Sequence, residues 1–148
     1  MFLIDGYNLL HAIAGGRPTA EARERMVARV EAWCRREGYR ARIVFDPTAG
    51  LRALETRGAV EIRGVAEGRT ADEEILRTLA STSDRTAYTV VSDDRAIATG
   101  ARKRRFRVVS CREFLRRLEG PGSGEPPEPG GVPPGEVDYW MREFGLEE

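Results

Sequence analysis

MFLIDG, residues 1–6, opens the chain with four apolar residues followed by an Asp-Gly pair. A short apolar run that stops at such a pair is typical of a buried strand that ends in a turn. The pattern therefore predicts a strand over residues 1–5 and a turn directly after it. It also makes Asp5 the last residue of that strand.

The same order of strand and acid returns twice further along the chain. ARIVFD, residues 41–46, is rich in β-branched and aromatic residues and ends in an aspartate before a proline. TAYTVVS, residues 86–92, predicts another strand, and Asp93 and Asp94 follow it. Shorter strands are predicted over residues 60–65 and 106–109.

Helical periodicity fills segments between these strands. Residues 19–37 repeat apolar side chains at helical spacing, with Thr19 as the N-cap and Gly38 as the stop. Further helices are predicted after Asp94 and after Ser110. Because strands alternate with helices, we expect an α/β fold of three layers, with a mainly parallel central sheet covered on both faces.

One predicted helix carries an acid near its start. Thr70 and Glu73 form a capping box, in which each side chain satisfies a backbone N–H of the first turn. The box opens a helix from residue 71 to about residue 81. It therefore places Asp72 in the first turn of that helix.

The composition changes after residue 119. PGSGEPPEPGGVPPG, residues 121–135, is dense in Pro and Gly and is typical of a linker rather than of a packed element. Beyond it, Val137, Trp140, Met141 and Phe144 form one apolar face at helical spacing. The predicted organisation is a domain over residues 1–119, a linker over residues 120–135 and a short amphipathic helix over residues 136–148.

The composition excludes several kinds of site. His11 is the only histidine, which excludes histidine-rich metal sites and most Ser-His triads, so chemistry must rest on carboxylates. Cys34 and Cys111 have no Cys or His neighbour at metal-ligand spacing and are expected to be buried free thiols. No apolar run approaches the roughly 20 residues that span a bilayer. The N-terminus also lacks the pattern of a secretory signal, so we expect a cytoplasmic protein without a membrane partner.

Acids follow three of the predicted strands, at Asp5, Asp46 and Asp93. The carboxyl ends of parallel strands meet at one edge of a sheet, and Asp72 can reach the same edge. Clustered carboxylates repel one another unless a cation neutralises them. Mg²⁺ and Mn²⁺ take oxygen ligands and bridge phosphates, so the set points to phosphodiester chemistry. Taken singly, each acid also suits a turn, a strand end or a helix start, and that alternative stays open.

The motifs that carry these acids resemble those of a known family. LIDGYNLLHA (residues 3–12) is similar to the opening motif of the NYN family of PIN-like ribonucleases, and four further motifs follow in family order. The strand-ending FD and the TAD motif are most similar to the YacP-like group. The resemblance covers residues 1 to about 118 and implies the three-layer PIN-like fold. The further motifs are IVFD (43–46), TADEEI (70–75), TVVSDDRAI (89–97) and FRVVSCREFL (106–115).

The resemblance also implies an activity and a set of roles. It implies a metal-dependent endoribonuclease that cuts single-stranded RNA with metal-activated water, with Mg²⁺ or Mn²⁺ as cofactor. Some YacP-like proteins are ribosome-associated mRNA endonucleases, so the ribosome is a further candidate partner. No acid in the helix after Asp94 matches the family pattern, which leaves one-metal and two-metal mechanisms open. The implied site comprises Asp5, Asp72 and Asp93 as metal ligands, Asp94 as an extra ligand, Asp46 near the site, and Asn8 to orient substrate or water.

Basic residues suggest where RNA is held. Arg69 and Arg95 lie beside the acidic motifs and are predicted to contact phosphate near the chemistry. Arg102, Lys103, Arg104 and Arg105 end a predicted helix, where they either complement the helix dipole in solvent or contact RNA or ribosome away from the metal. Two rival functions stay open: a non-catalytic RNA- or ribosome-binding module, and a toxin-like PIN nuclease that cuts one tRNA or rRNA site. The sequence predicts no oligomeric state.

Overall fold

The computed structural model of the chain describes residues 1–14, 19–46, 54–65 and 68–120. All strands and the first four helices lie in one compact unit, Met1–Cys111, and a second unit comprises Arg112–Glu148. The predicted linker, apart from Gly120, and the predicted terminal helix lie outside the described residues. The elements in chain order are β1 (Phe2–Asp5), α1 (Gly6–Ala14), α2 (Ala20–Glu37), β2 (Ala41–Phe45), β3 (Leu54–Arg57), β4 (Val60–Gly64), α3 (Ala71–Ala80), β5 (Thr89–Val91), α4 (Arg95–Lys103), β6 (Arg107–Val109) and α5 (Cys111–Glu119).

The six strands form one sheet in the order β3-β4-β2-β1-β5-β6. Every neighbouring pair is parallel except β3 and β4, so the predicted mainly parallel sheet is confirmed. In chain order, β2 and β4 are added to the sheet on one side of β1, and β5 and β6 are added later on the other side. The direction of building therefore reverses between β1 and β5.

Helices cover both faces of this sheet, because alternate residues of a strand point to opposite sides. On one face, Phe2 packs edge-on against Trp33 of α2, with ring centroids 5.4 Å apart. On the other face, Leu3 belongs to a buried cluster with residues of α3 and α4, among them Ile75 and Ile97. The predicted three-layer α/β architecture is confirmed.

The turn predicted after β1 is wrong, because α1 begins at Gly6 without an intervening turn. The glycine serves close packing there. A Cβ atom on Gly6 would lie 2.5 Å from the ring of Phe45 on β2. Only hydrogen at this position lets α1 start so close to the neighbouring strand, and Asn8 is carried on its first turn.

The sequence prediction also missed β3, which pairs antiparallel with β4 through a turn at Gly58. Its sequence is LETR, in which only the first residue is apolar, so the usual signal of a strand is absent. Arg57 instead pairs with Glu24 of α2 and with Glu55. The strand is an edge strand bounded by ion pairs.

Helix ends follow the predicted signals. The Thr19 side chain accepts a hydrogen bond from the Ala22 backbone N–H at 3.0 Å, and Gly38 adopts the left-handed conformation that ends α2, with φ 82°. The capping box of Thr70 and Glu73 opens α3 as expected. Cys34 and Cys111 are buried and carry free thiols, as predicted. Among the described helices, none is long and apolar enough to cross a membrane.

Candidate active site

The carboxyl ends of β1, β2 and β5 lie side by side, and the predicted acids follow them. Asp5 is the last residue of β1, Asp46 comes directly after β2, and Ser92, Asp93 and Asp94 come directly after β5. In open α/β sheets, ligands bind outside the carboxyl ends of the strands, where the direction of building reverses. This place, between β1 and β5, is called the acidic rim below.

Asp5 is the most buried acid of the acidic rim, with 6% of its surface exposed. Its Oδ2 accepts hydrogen bonds from the side-chain amide of Asn8 at 2.9 Å and from the Ser92 hydroxyl at 3.2 Å. Burial raises the pKa of Asp5 to about 6, against an ordinary value of 3.8. The charges of Asp46 and Asp94 raise it further, while the hydrogen bonds from Asn8 and Ser92 lower it. The buried Asp5 carboxylate is thus close enough to two other carboxylates for their charges to raise its pKa.

Asn8 connects β1 to the loop that follows β5. Its Nδ2 donates to Asp5, and its Oδ1 accepts from the Asp93 backbone N–H at 3.0 Å. Both ends of the amide are therefore engaged, which fixes its orientation. In the described structure, Asn8 positions Asp5 and the Asp93 backbone.

Ser92 plays a part that the sequence analysis missed. It is 3% exposed, its hydroxyl donates to Asp5, and its Oγ accepts from the Asp94 backbone N–H at 2.9 Å. β5 runs parallel to β1 with Ile4 opposite Val91, so the next residues, Asp5 and Ser92, are neighbours on one face. The register between two distant strands creates this contact, and the sequence alone does not contain it.

Asp46 joins the end of β2 to the start of α3. Its Oδ1 accepts a hydrogen bond from the Ala71 backbone N–H at 2.6 Å. This bond fixes the start of α3, and Asp72 is the residue that follows Ala71 in its first turn. The Asp72 carboxylate is half-buried and makes no hydrogen bond or ion pair with any described residue.

Asp93 and Asp94 each use one carboxylate oxygen to hold backbone. Asp94 caps α4 by accepting from the Ile97 N–H at 3.1 Å. Asp93 accepts from the Cys111 N–H at 2.9 Å and is exposed. The helix-cap role that was an alternative for Asp93 thus belongs to Asp94 at α4. Asp94 has a second oxygen that its backbone bond does not use, and the Asp93 carboxylate also accepts a hydrogen bond from the Cys111 thiol.

The donor groups can be tested for their fit to a metal ion. Within the described ranges, no three His, Cys, Asp or Glu side chains already stand as a coordination group. The donors at the acidic rim are nevertheless all oxygens, and Asp5 is repelled by its neighbours, which suits a hard divalent cation. Burial, together with the charges of Asp93 and Asp5, raises the pKa of the Cys111 thiol. It stays protonated and offers no thiolate, so the donor chemistry fits Mg²⁺ or Mn²⁺.

The predicted RNA-binding residues fall into two groups. Arg69, just before α3, and Arg95, the first residue of α4, are exposed beside the acidic rim. The second group lies at the other end of α4, a helix of nine residues and therefore about 13 Å long. The structure does not bring the two groups together. The second group is Arg102, Lys103, Arg104 and Arg105, all exposed.

A further cation near the acidic rim was not predicted. Arg63 of β4 lies opposite Val44, which lies opposite Asp5, so the three share one face of the sheet. Its Nη1 pairs at 3.1 Å with Glu74, a buried acid that Arg77 also binds at 2.8 Å. The Nε of Arg63 is buried without a hydrogen-bond partner in the described structure. The cluster carries one net positive charge.

Comparisons with known proteins identify the family of the chain and support its fold. The model of the YacP-like NYN domain family matches residues 2–122. The fold is similar to the crystal structure of Rae1 (YacP) from Bacillus subtilis, with a TM-score of 0.68 and 28% sequence identity. The match covers 80% of this chain and 73% of that chain. The crystal structure of the W164L mutant of that protein is also similar, with a TM-score of 0.65 and 27% sequence identity. This match covers 80% of this chain and 74% of that chain. No curated protein matches the chain. The chain belongs to the YacP-like NYN domain family, and its domain is a nuclease-like domain of a kind that acts on RNA.

Proposed function

We propose that the chain is a metal-dependent endoribonuclease that hydrolyses single-stranded RNA, with Mg²⁺ or Mn²⁺ as its cofactor. The observation that carries the proposal is the buried Asp5 carboxylate at the acidic rim, whose pKa is raised by burial and by the charges of Asp46 and Asp94. Burying a charge beside like charges costs stability, and such costs are typical of functional sites. A purely structural position would be served by an uncharged residue.

The cation would be held by Asp5, Asp72, Asp93 and Asp94. Asp72 contributes a carboxylate that no described residue engages, and Asp93 and Asp94 contribute the oxygens that their backbone bonds leave over. When bound, Mg²⁺ or Mn²⁺ supplies a Lewis acid that activates water and stabilises the leaving oxygen of the phosphodiester.

The other residues of the site position these groups and the RNA. Asn8 and Ser92 hold the Asp5 carboxylate in one orientation by bonding its Oδ2. Asp46 fixes the start of α3 and thereby the position of Asp72. Arg69 and Arg95, exposed on either side, contact the phosphates that flank the cleaved bond.

One observation favours a rival function. Asp46, Asp93 and Asp94 each accept a backbone N–H, so each has a structural role that needs no metal. A non-catalytic domain that binds RNA or the ribosome would also keep these bonds. Catalysis and binding alone must therefore be separated by experiment.

The test is cleavage of a mixed pool of single-stranded RNA in Mg²⁺, in Mn²⁺ and in EDTA, with and without ribosomes. The parent chain is compared with Asp5→Asn and with the control Asp84→Asn, which makes the same change in an exposed turn before β5. We expect metal-dependent cutting that Asp5→Asn loses and Asp84→Asn keeps. Cutting only with ribosomes would make ribosome-bound RNA the substrate. Absence of cutting in every condition would favour the binding module.

A further inference from the structure

The edge of the sheet where the parallel strands begin carries a row of cations. Arg40 directly precedes β2, Arg85 lies in the loop into β5, Arg105 lies just before β6, and Arg107 is its first residue. Together with Arg102 and Lys103 at the end of α4, they are all exposed and are called the basic edge below. Neighbouring strands are about 4.8 Å apart, so from β2 to β6 the row spans roughly 14 Å.

None of these six cations makes a salt bridge with a described residue. Some other arginines are paired: Arg42 with Glu61, for example, and Arg57 with Glu24. The acid closest in sequence to Arg85 is Asp84, whose carboxylate is engaged by Thr86. The basic edge therefore presents positive charge that the described part of the fold does not neutralise.

One of these cations has an unfavourable backbone. Arg105 has φ 66°, the only positive φ of a non-glycine residue among those described. An L-residue in this region is crowded by its own Cβ, and glycine adopts it freely. The fold itself would be served by glycine at this turn. The backbone of this turn therefore does not account for the arginine side chain.

An aromatic ring lies beside the cations. Tyr39, next to Arg40, stacks on Trp33 with centroids 5.0 Å apart and packs edge-on against Phe2. These contacts hold its ring in place, yet 38% of the residue is exposed. Proteins that bind single-stranded nucleic acid combine positive charge along the backbone with aromatic rings on which bases stack.

We propose that the basic edge is a second RNA-binding surface, at which cations of four neighbouring segments contact backbone phosphates of single-stranded RNA and Tyr39 stacks on a base. The surface lies at the opposite end of the strands from the acidic rim. It shares with the proposed function the premise that RNA is the partner, but it does not require cleavage. RNA held here is anchored separately from the bond that is cut.

The test is binding of a fluorescent single-stranded RNA in EDTA, followed by anisotropy at several salt concentrations. The variant Arg85→Ala/Arg105→Gly is compared with Arg25→Ala/Arg29→Ala, which removes two exposed arginines from α2. We expect the basic-edge variant to bind about tenfold more weakly at low salt. The slope of log affinity against log salt should fall by about 1.4, because two phosphate contacts on single strands are lost.

A further variant separates the contribution of the aromatic ring from that of the cations. Tyr39→Leu keeps an apolar side chain against Trp33 but removes the stacking ring, so affinity should fall several-fold with an unchanged salt slope. Binding is measured in EDTA, where metal-dependent cleavage does not occur, so a failure of catalysis and a failure of this surface are distinguishable. Thermal unfolding checks that each variant folds.

Equal affinity and equal salt slope in the basic-edge variant and its α2 control would overturn the proposal. Vesicles rich in phosphatidylserine serve as a second probe. A basic edge that binds these vesicles, with RNA affinity unaffected by Arg85→Ala/Arg105→Gly, would assign it to a membrane surface and overturn the RNA proposal as well.

Discussion

The acidic rim and the basic edge are opposite ends of the same strands, and they are built differently. At the acidic rim, Asp5 and Ser92 are buried and hydrogen-bonded to each other, and Asp46, Asp93 and Asp94 accept hydrogen bonds from backbone N–H groups. At the basic edge, the cations are exposed and make no ion pair with a described residue. A parallel sheet sends all residues that follow its strands to one end and all that precede them to the other. A parallel sheet can therefore carry an acidic catalytic site at one end of its strands and a basic binding surface at the other end.

The largest expected effect tests the acidic rim. Asp5→Asn should lower RNA cleavage by roughly a thousandfold, because Lewis-acid stabilisation by a bound metal is worth several kcal/mol. Asp84→Asn, at the opposite end of the sheet, should leave the rate unchanged within about twofold, since surface changes away from a site have small effects. Mn²⁺ binding by titration calorimetry gives a readout besides activity. Mn²⁺ affinity that is equal in parent and Asp5→Asn would contradict the metal role.

The second prediction contrasts the pH dependence of stability at the same two aspartates. The pKa of Asp5 is raised to about 6, mainly by burial, from 3.8. Its carboxyl is neutral in both folded and unfolded chains below about pH 4, and ionised in both above about pH 6. Metal-free stability should therefore fall as the pH rises through this window, by roughly 3 kcal/mol.

Urea unfolding in EDTA from pH 4 to pH 8 measures this difference between parent and Asp5→Asn. The variant should gain stability relative to the parent as the pH rises. The exposed Asp84 gives the opposite sign, because hydrogen bonds from Thr86 lower its pKa. Its contribution is present at neutral pH and is lost as the pH falls. If the unfolding free energy of the parent and of Asp5→Asn changed with pH in the same way, the predicted cost of the buried Asp5 charge would be refuted.

Sequence patterns predicted the buried parallel strands and their ends, but they did not predict the edge strand β3. The apolar runs before Asp5, Asp46 and Asp93 identified three parallel strands, and topology then placed the acids at one end. β3 was missed because LETR lacks an apolar alternation, and its pairing depends on β4 and on ion pairs with other elements. Patterns report burial, and an edge strand bounded by charges gives little of that signal.

The sequence analysis named the acids of the candidate site but missed some of the side chains that support them. The hydrogen bond from Ser92 to Asp5 depends on the register of β5 against β1, which joins residues 87 positions apart. The basic edge was predicted only at Arg102 to Arg105, where the cations are consecutive. Arg40 and Arg85 are far from these residues in sequence. Only the order of the strands in the sheet brings them to the same edge, so no local sequence pattern could predict them.

The third prediction concerns the packing that supports the acidic rim. Gly6→Ala would place a methyl group 2.5 Å from the Phe45 ring, which is fully buried and cannot move freely. Overpacking of this kind costs roughly 1–3 kcal/mol and moves the backbone. Cleavage should fall as well, because α1 carries Asn8, which positions Asp5. Unfolding and cleavage assays measure both losses, and unchanged stability with full activity would contradict the close packing.

The smallest expected change in stability comes from two residues with a left-handed backbone, one an arginine and the other a glycine. Arg105, at φ 66°, is an arginine where glycine would be relaxed, and Gly38, at φ 82°, is a glycine that ends α2. Arg105→Gly should not lower the stability of the fold, and any gain should stay below about 1 kcal/mol, because relief of the strain is partly offset by the added freedom of the unfolded chain. Gly38→Ala should cost about 1 kcal/mol, although no atom lies within 4 Å of the new methyl group.

Urea unfolding of both variants decides whether Arg105 serves the fold. If the arginine stabilised the turn, Arg105→Gly would lower stability, and the left-handed backbone would then be a local packing feature. A stable variant that binds RNA more weakly would separate binding from folding. The two ends of the sheet would then share one property, since at each a residue costs the domain stability, Asp5 through buried charge and Arg105 through its backbone.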